Sequence, residues 1–137
     1  VTDSRPSRAL LAKLGLDGHD VGVLWVAKLL RDEGFEVIYL GKRRTTAEIV
    51  AVAVDEDVDV VGLSCLSGGL GHFAREVVAG LAEQGTDIPV IAGGIDEPDE
   101  LARTLEAGVV AYFGPGTTSD QIIAEFRGHA RKSVCAE

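Results

Sequence analysis

No apolar run in the 137-residue chain approaches the ~20 residues of a membrane-spanning helix, and its first residues lack the hydrophobic core of a secretory signal. Cysteine is almost absent. Cys65 and Cys135 stand too far apart for a metal knuckle, the first in an apolar stretch and the second in the tail. Both are expected as free thiols of a cytoplasmic protein rather than as a disulfide. Positive charge is scarce too: 13 Lys and Arg face 22 Asp and Glu, a formal net charge of -9, and no basic stripe interrupts that balance. Such a surface repels polyanions, which excludes nucleic acid as a partner. Internal repeats, low-complexity segments and a second domain are also missing.

Glycine is what the chain has in excess. Its 17 glycines make up about 12% of the residues against a typical ~7%, and they gather in loops, as expected where backbone approaches something closely. Hydrophobic residues at 46% and charged residues at 26% are ordinary for a globular protein. The length suits one domain over 1–137, with a core from about residue 8 to 131, burying roughly two-thirds of the surface of the unfolded chain.

Strand-length apolar runs alternate five times with segments of helical period. Arg8–Leu14 reads as the first strand, followed by a glycine-punctuated loop and a helix from about Gly22 to Glu33 that Gly34 terminates. Phe35–Leu40 is the second run. Thr45 with Glu48 forms a capping box for a helix reaching about Glu56. Val58–Leu63 and Ile88–Ala92 are continuous apolar runs, the pattern of parallel strands covered on both faces, with a helix over about 73–84 between them. Pro98 opens a fourth helix ending near Ala107, Val109–Phe113 is the fifth strand, and Thr118 with Gln121 caps a helix to about Arg131. Residues 1–7 and 133–137 are expected to fray. Five β–α units with short connections predict an α/β fold, a doubly wound parallel sheet of flavodoxin-like order 2-1-3-4-5 with helices on both faces. Ligands in such sheets bind outside the carboxyl ends of the strands.

The loops expected at that edge hold the unusual residues. Gly15-Leu16-Asp17-Gly18-His19-Asp20-Val21-Gly22 follows the first strand, and Ser64-Cys65-Leu66-Ser67-Gly68-Gly69 the third. Gly93-Gly94 follows the fourth, and Gly114-Pro115-Gly116-Thr117-Thr118 the fifth. So many small residues on one edge suit a wide, flat ligand with a long tail.

Asp17-x-His19-x-x-Gly22, Ser64-x-Leu66 and Gly93-Gly94, in this order and at these separations, resemble the three-part signature of cobalamin-binding domains. The resemblance extends from about Arg8 to Arg131. It implies a corrinoid whose nucleotide loop leaves cobalt and enters a channel between helix and sheet, with His19 as the lower axial cobalt ligand. Asp17 would accept the other imidazole N–H and Lys13 would pair with Asp17, a relay Lys13–Asp17–His19. Lys13, at a strand end, is expected to be partly solvated and so to contribute modestly. By the same resemblance Gly18, Asp20, Val21 and Gly22 approach the cofactor and Ser64 bonds its base. Leu66 walls the channel with Ser67 and Gly68 beside it, while Gly93 and Gly94 leave room for the tail. Phe113, Gly114, Gly116 and Thr117 line that tail. Trp25 and its neighbouring valines are expected in the core, and His72 and His129 on the surface, His72 with some chance of nearing the corrin.

Among cobalamin proteins, Asp17-Gly18-His19-Asp20 and Phe113-Gly114-Pro115-Gly116-Thr117 look like the acyl-CoA mutases, of the methylmalonyl-, isobutyryl- and 2-hydroxyisobutyryl-CoA type. Val21, where the family often has arginine, and the stretch 67–72 depart from common members. The resemblance implies an adenosylcobalamin-dependent small subunit, with no catalytic residue of its own beyond the relay. Its expected partner is a large TIM-barrel subunit that binds the acyl-CoA, two of each forming a heterotetramer. A corrinoid methyl carrier would share the motifs but normally places a helical bundle before them, where seven residues precede the first strand here. A glutamate-mutase-type small subunit would match in length. A receiver domain on the same fold needs an aspartate at the end of the third strand, where Ser64 stands.

Overall fold

Helix ends and strand ladders are set by where backbone N–H groups find acceptors, and each apolar run of the chain resolves on that basis. The structure, a computed structural model, describes residues 6–13, 21–40, 45–65, 70–94, 98–114 and 116–130. The elements alternate strictly: β1 (Arg8–Lys13), α1 (Val21–Asp32), β2 (Glu36–Tyr39), α2 (Thr46–Asp55), β3 (Val60–Cys65), α3 (Leu70–Glu83), β4 (Val90–Gly94), α4 (Pro98–Glu106), β5 (Ala111–Phe113) and α5 (Ser119–His129). The strands form one parallel sheet in the order β2-β1-β3-β4-β5, the doubly wound arrangement expected.

Local chemistry accounts for the boundaries. Thr45 and Thr118 each form a complete capping box, with Glu48 and Gln121, so two N–H groups are satisfied reciprocally at each helix start. Gly34 ends α1 at φ +96°, and the Phe35 N–H reaches back to the Leu30 carbonyl. The end of α2 uses Asp57 at φ 50° in the same way, with the Val58 N–H on the Ala53 carbonyl. That closure takes Val58 out of β3, so the strand starts later than its apolar run. Asp59 is buried, and its carboxylate accepts the Arg8 N–H at 2.8 Å. The expectation of frayed residues lies mostly outside the described ones, but the Ser7 carbonyl already accepts the Glu36 N–H at 2.9 Å.

Two layers of core flank the sheet. Leu10, Ala12, Val61, Leu63 and Val90 pack beneath α2 and α3. Ala9, Leu11, Val60 and Ile91 pack beneath α1 and α5, where Phe126 is 2% exposed and is worth roughly 1.5–3 kcal/mol in burial. Gly62 of β3 lets Phe126 come that close. A Cβ on Gly62 would stand 2.7 Å from Leu11 Cδ2 and 3.0 Å from Phe126 Cζ.

One expectation fails at the carboxyl edge. Ser64 and Cys65 belong to β3, and Gly93 and Gly94 to β4, rather than to the loops that follow. The ladder is a backbone property. It continues to Cys65↔Gly94 beyond the point where the apolar side chains stop.

Candidate functional site

Strand register builds the site. Lys13 pairs with Ser64, Ser64 with Gly93, and Gly93 with Phe113, so these four form one row across β1, β3, β4 and β5. Side chains alternate along a strand, and Leu11, Val60, Ile91 and Phe113 all pack on the α1/α5 side. The row therefore faces the same side.

Between that face and helices α1 and α5 lies a cleft of about 320 Å³. Ser64, Gly93, Gly94, Phe113, Gly114, Gly116 and Thr117, which the sequence motifs distribute over 54 positions (64 to 117, inclusive), all line it. Leu11, Val23, Ile122 and Phe126 make the rest of its wall largely apolar. Two polar side chains reach it. The Thr117 hydroxyl donates to the Gly114 carbonyl at 2.7 Å and so ties its own loop. The Ser64 hydroxyl makes no hydrogen bond to another described side chain, and Ser64 lines the cleft.

The glycines of the cleft are not equivalent. At Gly62 the space of a Cβ is taken by Leu11 and Phe126, so that glycine serves packing. At Gly93 the nearest atom to a Cβ is the Phe113 carbonyl oxygen at 3.4 Å, and at Gly114 it is Tyr112 Cε1 at 3.7 Å. Gly116 has nothing within 4 Å, and its φ of +87° requires glycine for the turn itself. A side chain at 93 would thus enter the cleft without displacing the fold. The space is a cradle of the kind a flat group with a tail requires.

Lys13 corrects an expectation. It is 1% exposed, among the largest fully buried side chains, and it is engaged rather than free. Strand register carries it inward with Leu11, where an end-of-strand position suggested solvent. A buried ammonium is tolerated only with compensating partners. Trp25 is the converse case. Expected in the core, it is 45% exposed and lines the cleft from α1. Val23 is the neighbouring valine that is buried.

Val21 and Gly22 form the start of α1. Asp17, Gly18, His19, Asp20, Leu66, Ser67 and Gly68 lie outside the described residues, as does Cys135. Among the described residues no group of three or more His, Cys, Asp or Glu is placed to hold a metal. His72 is on α3, under the other face of the sheet, with Nε2 3.3 Å from Glu76. His129 contacts Glu125 at 3.1 Å on α5. The Arg8 guanidinium is held above its ordinary pKa by a hydrogen bond to Glu36, far from the cleft. Among the described residues no helix is long and apolar enough to cross a membrane. Sequence reasoning missed Leu11, Gly62 and Phe126 as cleft residues. Each reads as ordinary core until the register places it.

Comparison with known proteins places the chain in a family. The family model of the B12 binding domain matches residues 7–124, and the chain belongs to that family. It is 44% identical over 126 residues to the 2-hydroxyisobutanoyl-CoA mutase small subunit of Aquincola tertiaricarbonis, covering 91% of this chain and 93% of that one. It is 42% identical over 116 residues to methylmalonyl-CoA mutase of Escherichia coli strain K12, covering 84% of this chain and 16% of the enzyme. Among solved structures, a cobalamin-binding protein from Desulfitobacterium hafniense DCB-2 superimposes with a TM-score of 0.75 at 25% identity, over 90% of this chain and 59% of that one.

Proposed function

We propose that this chain is the cofactor-binding small subunit of an adenosylcobalamin-dependent acyl-CoA mutase, a radical carbon-skeleton isomerase. What carries the reading is the 44% identity that runs through 93% of a mutase small subunit. The Cβ-free space at Gly93 and Gly114, beside Ser64, fits the tail of a corrinoid.

Each residue then has a task. His19 would hold cobalt as its lower axial ligand in place of the cofactor's own benzimidazole, the base-off, His-on mode. Asp17 accepts the second imidazole N–H, which sets the tautomer and raises the basicity of the ligand. Lys13, buried at the end of β1, would pair with Asp17. Ser64 donates to the displaced base, and the apolar wall of Leu11, Ile122 and Phe126 keeps water from it. Gly18, Asp20, Val21 and Gly22 border the corrin, as do Leu66, Ser67 and Gly68. Gly93, Gly94, Gly114 and Gly116 with Phe113 and Thr117 receive the tail. Adenosylcobalamin held by these residues would supply the radical chemistry of the isomerisation.

The acyl-CoA belongs to a partner. A net charge of -9 disfavours a CoA phosphate tail on this chain. A large subunit with a TIM barrel would bind the substrate and enclose the upper face of the corrin, two large and two small subunits making a cytoplasmic heterotetramer. Enclosure is needed because an exposed radical is quenched by side reactions. The test mixes this chain with its large subunit, adenosylcobalamin and a panel of branched acyl-CoA esters. Isomerisation is expected only with every component present. Isomerase activity from this chain alone would overturn the reading, and methyl transfer to a thiol with a methyltransferase partner would replace it with a methyl carrier.

A further inference from the structure

Trp25 has no task in the ligation just proposed. It is the single tryptophan of the chain, on α1, and lines the cleft with 45% of its surface exposed. No hydrogen-bond or ring partner for it occurs among the described residues. A core tryptophan buries its ring, and buried indole N–H groups find acceptors. Trp25 does neither.

Two further aromatic side chains line the same cleft. Phe113 and Phe126 stack there in a tilted pair, with ring centroids 6.2 Å apart and planes at 34°. Between them and α1 the floor lacks side chains at Gly93, and Gly114 leaves the strand end equally bare. Three aromatic side chains and several aliphatic ones therefore line a cleft whose floor lacks Cβ atoms at Gly93 and Gly114. Any apolar group gains burial against such walls, and a charged tail does not. A planar aromatic group gains contact on its faces, and aromatic pairs prefer offset or edge arrangements that a half-exposed indole can adopt.

We infer that Trp25 is an aromatic clamp on the base of the corrinoid tail, so that this chain selects corrinoids that end in a flat bicyclic base over those that lack it. The inference rests on the cofactor reading above and adds a specificity residue to it. In consequence the affinity of the chain is divided between the lower ligand, which any corrinoid can use, and the clamp, which a tail-less corrinoid cannot.

The test uses three probes with the full chain: cobalamin, cobinamide (which lacks the nucleotide tail) and the isolated 5,6-dimethylbenzimidazole riboside. Because Trp25 is the only tryptophan, its emission reports on the clamp alone. The riboside should change that emission saturably. Trp25→Leu should weaken cobalamin about three- to tenfold, the range of one aromatic pair. It should leave cobinamide unchanged, and Trp25→Phe should recover most of the loss. Circular dichroism and melting temperature check that each variant keeps its fold. Equal losses for cobalamin and cobinamide, or no loss for either, would overturn the clamp. The two levels of inference separate cleanly. A wild-type chain that binds neither corrinoid removes the cofactor reading and the clamp together. One that prefers cobalamin to cobinamide, with Trp25→Leu unchanged, removes the clamp alone.

Discussion

Two glycines two residues apart on adjacent strands, Gly62 and Gly93, should respond to substitution in opposite ways. A Cβ on Gly62 would meet Leu11 Cδ2 at 2.7 Å and Phe126 Cζ at 3.0 Å, and both neighbours are 2% exposed. Neither can swing into solvent, so Gly62→Ala overpacks the α1/α5 core at a cost of about 1–3 kcal/mol. For a chain of this size that lowers the melting temperature on the order of 4 °C per kcal/mol. At Gly93 the first contact is the Phe113 carbonyl at 3.4 Å, with Phe113 Cβ at 3.7 Å. Alanine fits there, and replacing an unstrained glycine stabilises by about 0.4–1 kcal/mol through the unfolded chain. Gly93→Ala should therefore melt at or slightly above wild type. Gly93→Val adds two methyl groups that have only the cleft to enter. It should keep its circular dichroism spectrum, yet bind cobalamin roughly 5- to 150-fold more weakly, the equivalent of about 1–3 kcal/mol of overpacking. Calorimetric melting and titration with cobalamin measure both quantities on the same samples. A Gly93→Val variant that loses its fold along with binding would refute the assignment of that space to a ligand. So would one that binds like wild type.

The remaining predictions concern the proposed relay. His19→Ala should abolish the axial nitrogen splitting from protein in the paramagnetic resonance spectrum of bound cob(II)alamin, while 15N-histidine alters it in wild type; an unchanged spectrum in both would mean that the cofactor keeps its own base. Asp17→Asn removes the charge behind His19 and should cost about 10–100-fold in affinity or turnover. Wild-type behaviour in both would dismiss the relay. Lys13→Ala empties a fully buried site and should destabilise the apo protein by about 2–5 kcal/mol, as truncation of a buried methionine does, and Lys13→Met should restore most of it. A Met variant as unstable as the Ala variant would place the stability in the ammonium rather than in the stem.

Much of this protein is legible in its sequence because the determinants are local. Thr45-x-x-Glu48 and Thr118-x-x-Gln121 start helices within four residues, and Gly34 stops one by its own φ. Five apolar runs separated by helical segments suffice for a parallel sheet, since right-handed crossovers leave few ways to wind it. The motif glycines and Ser64 could be named for the same reason. Their residue types and spacing are visible without coordinates. What sequence could not supply is the side of the sheet on which each residue falls and what stands opposite. Whether Lys13 is in water or in the core depends on which face β1 turns toward α1 and α5. Ser64 and Gly93 look like loop residues until the ladders of β3 and β4 include them. Gly62 and Gly93 are the same residue type in similar strands, and only the tertiary packing makes one a seat for Phe126 and leaves the other beside open cleft. Local chemistry decides the elements. Contacts between residues far apart in the chain decide the cleft, because its volume is what the side chains of six elements leave unfilled.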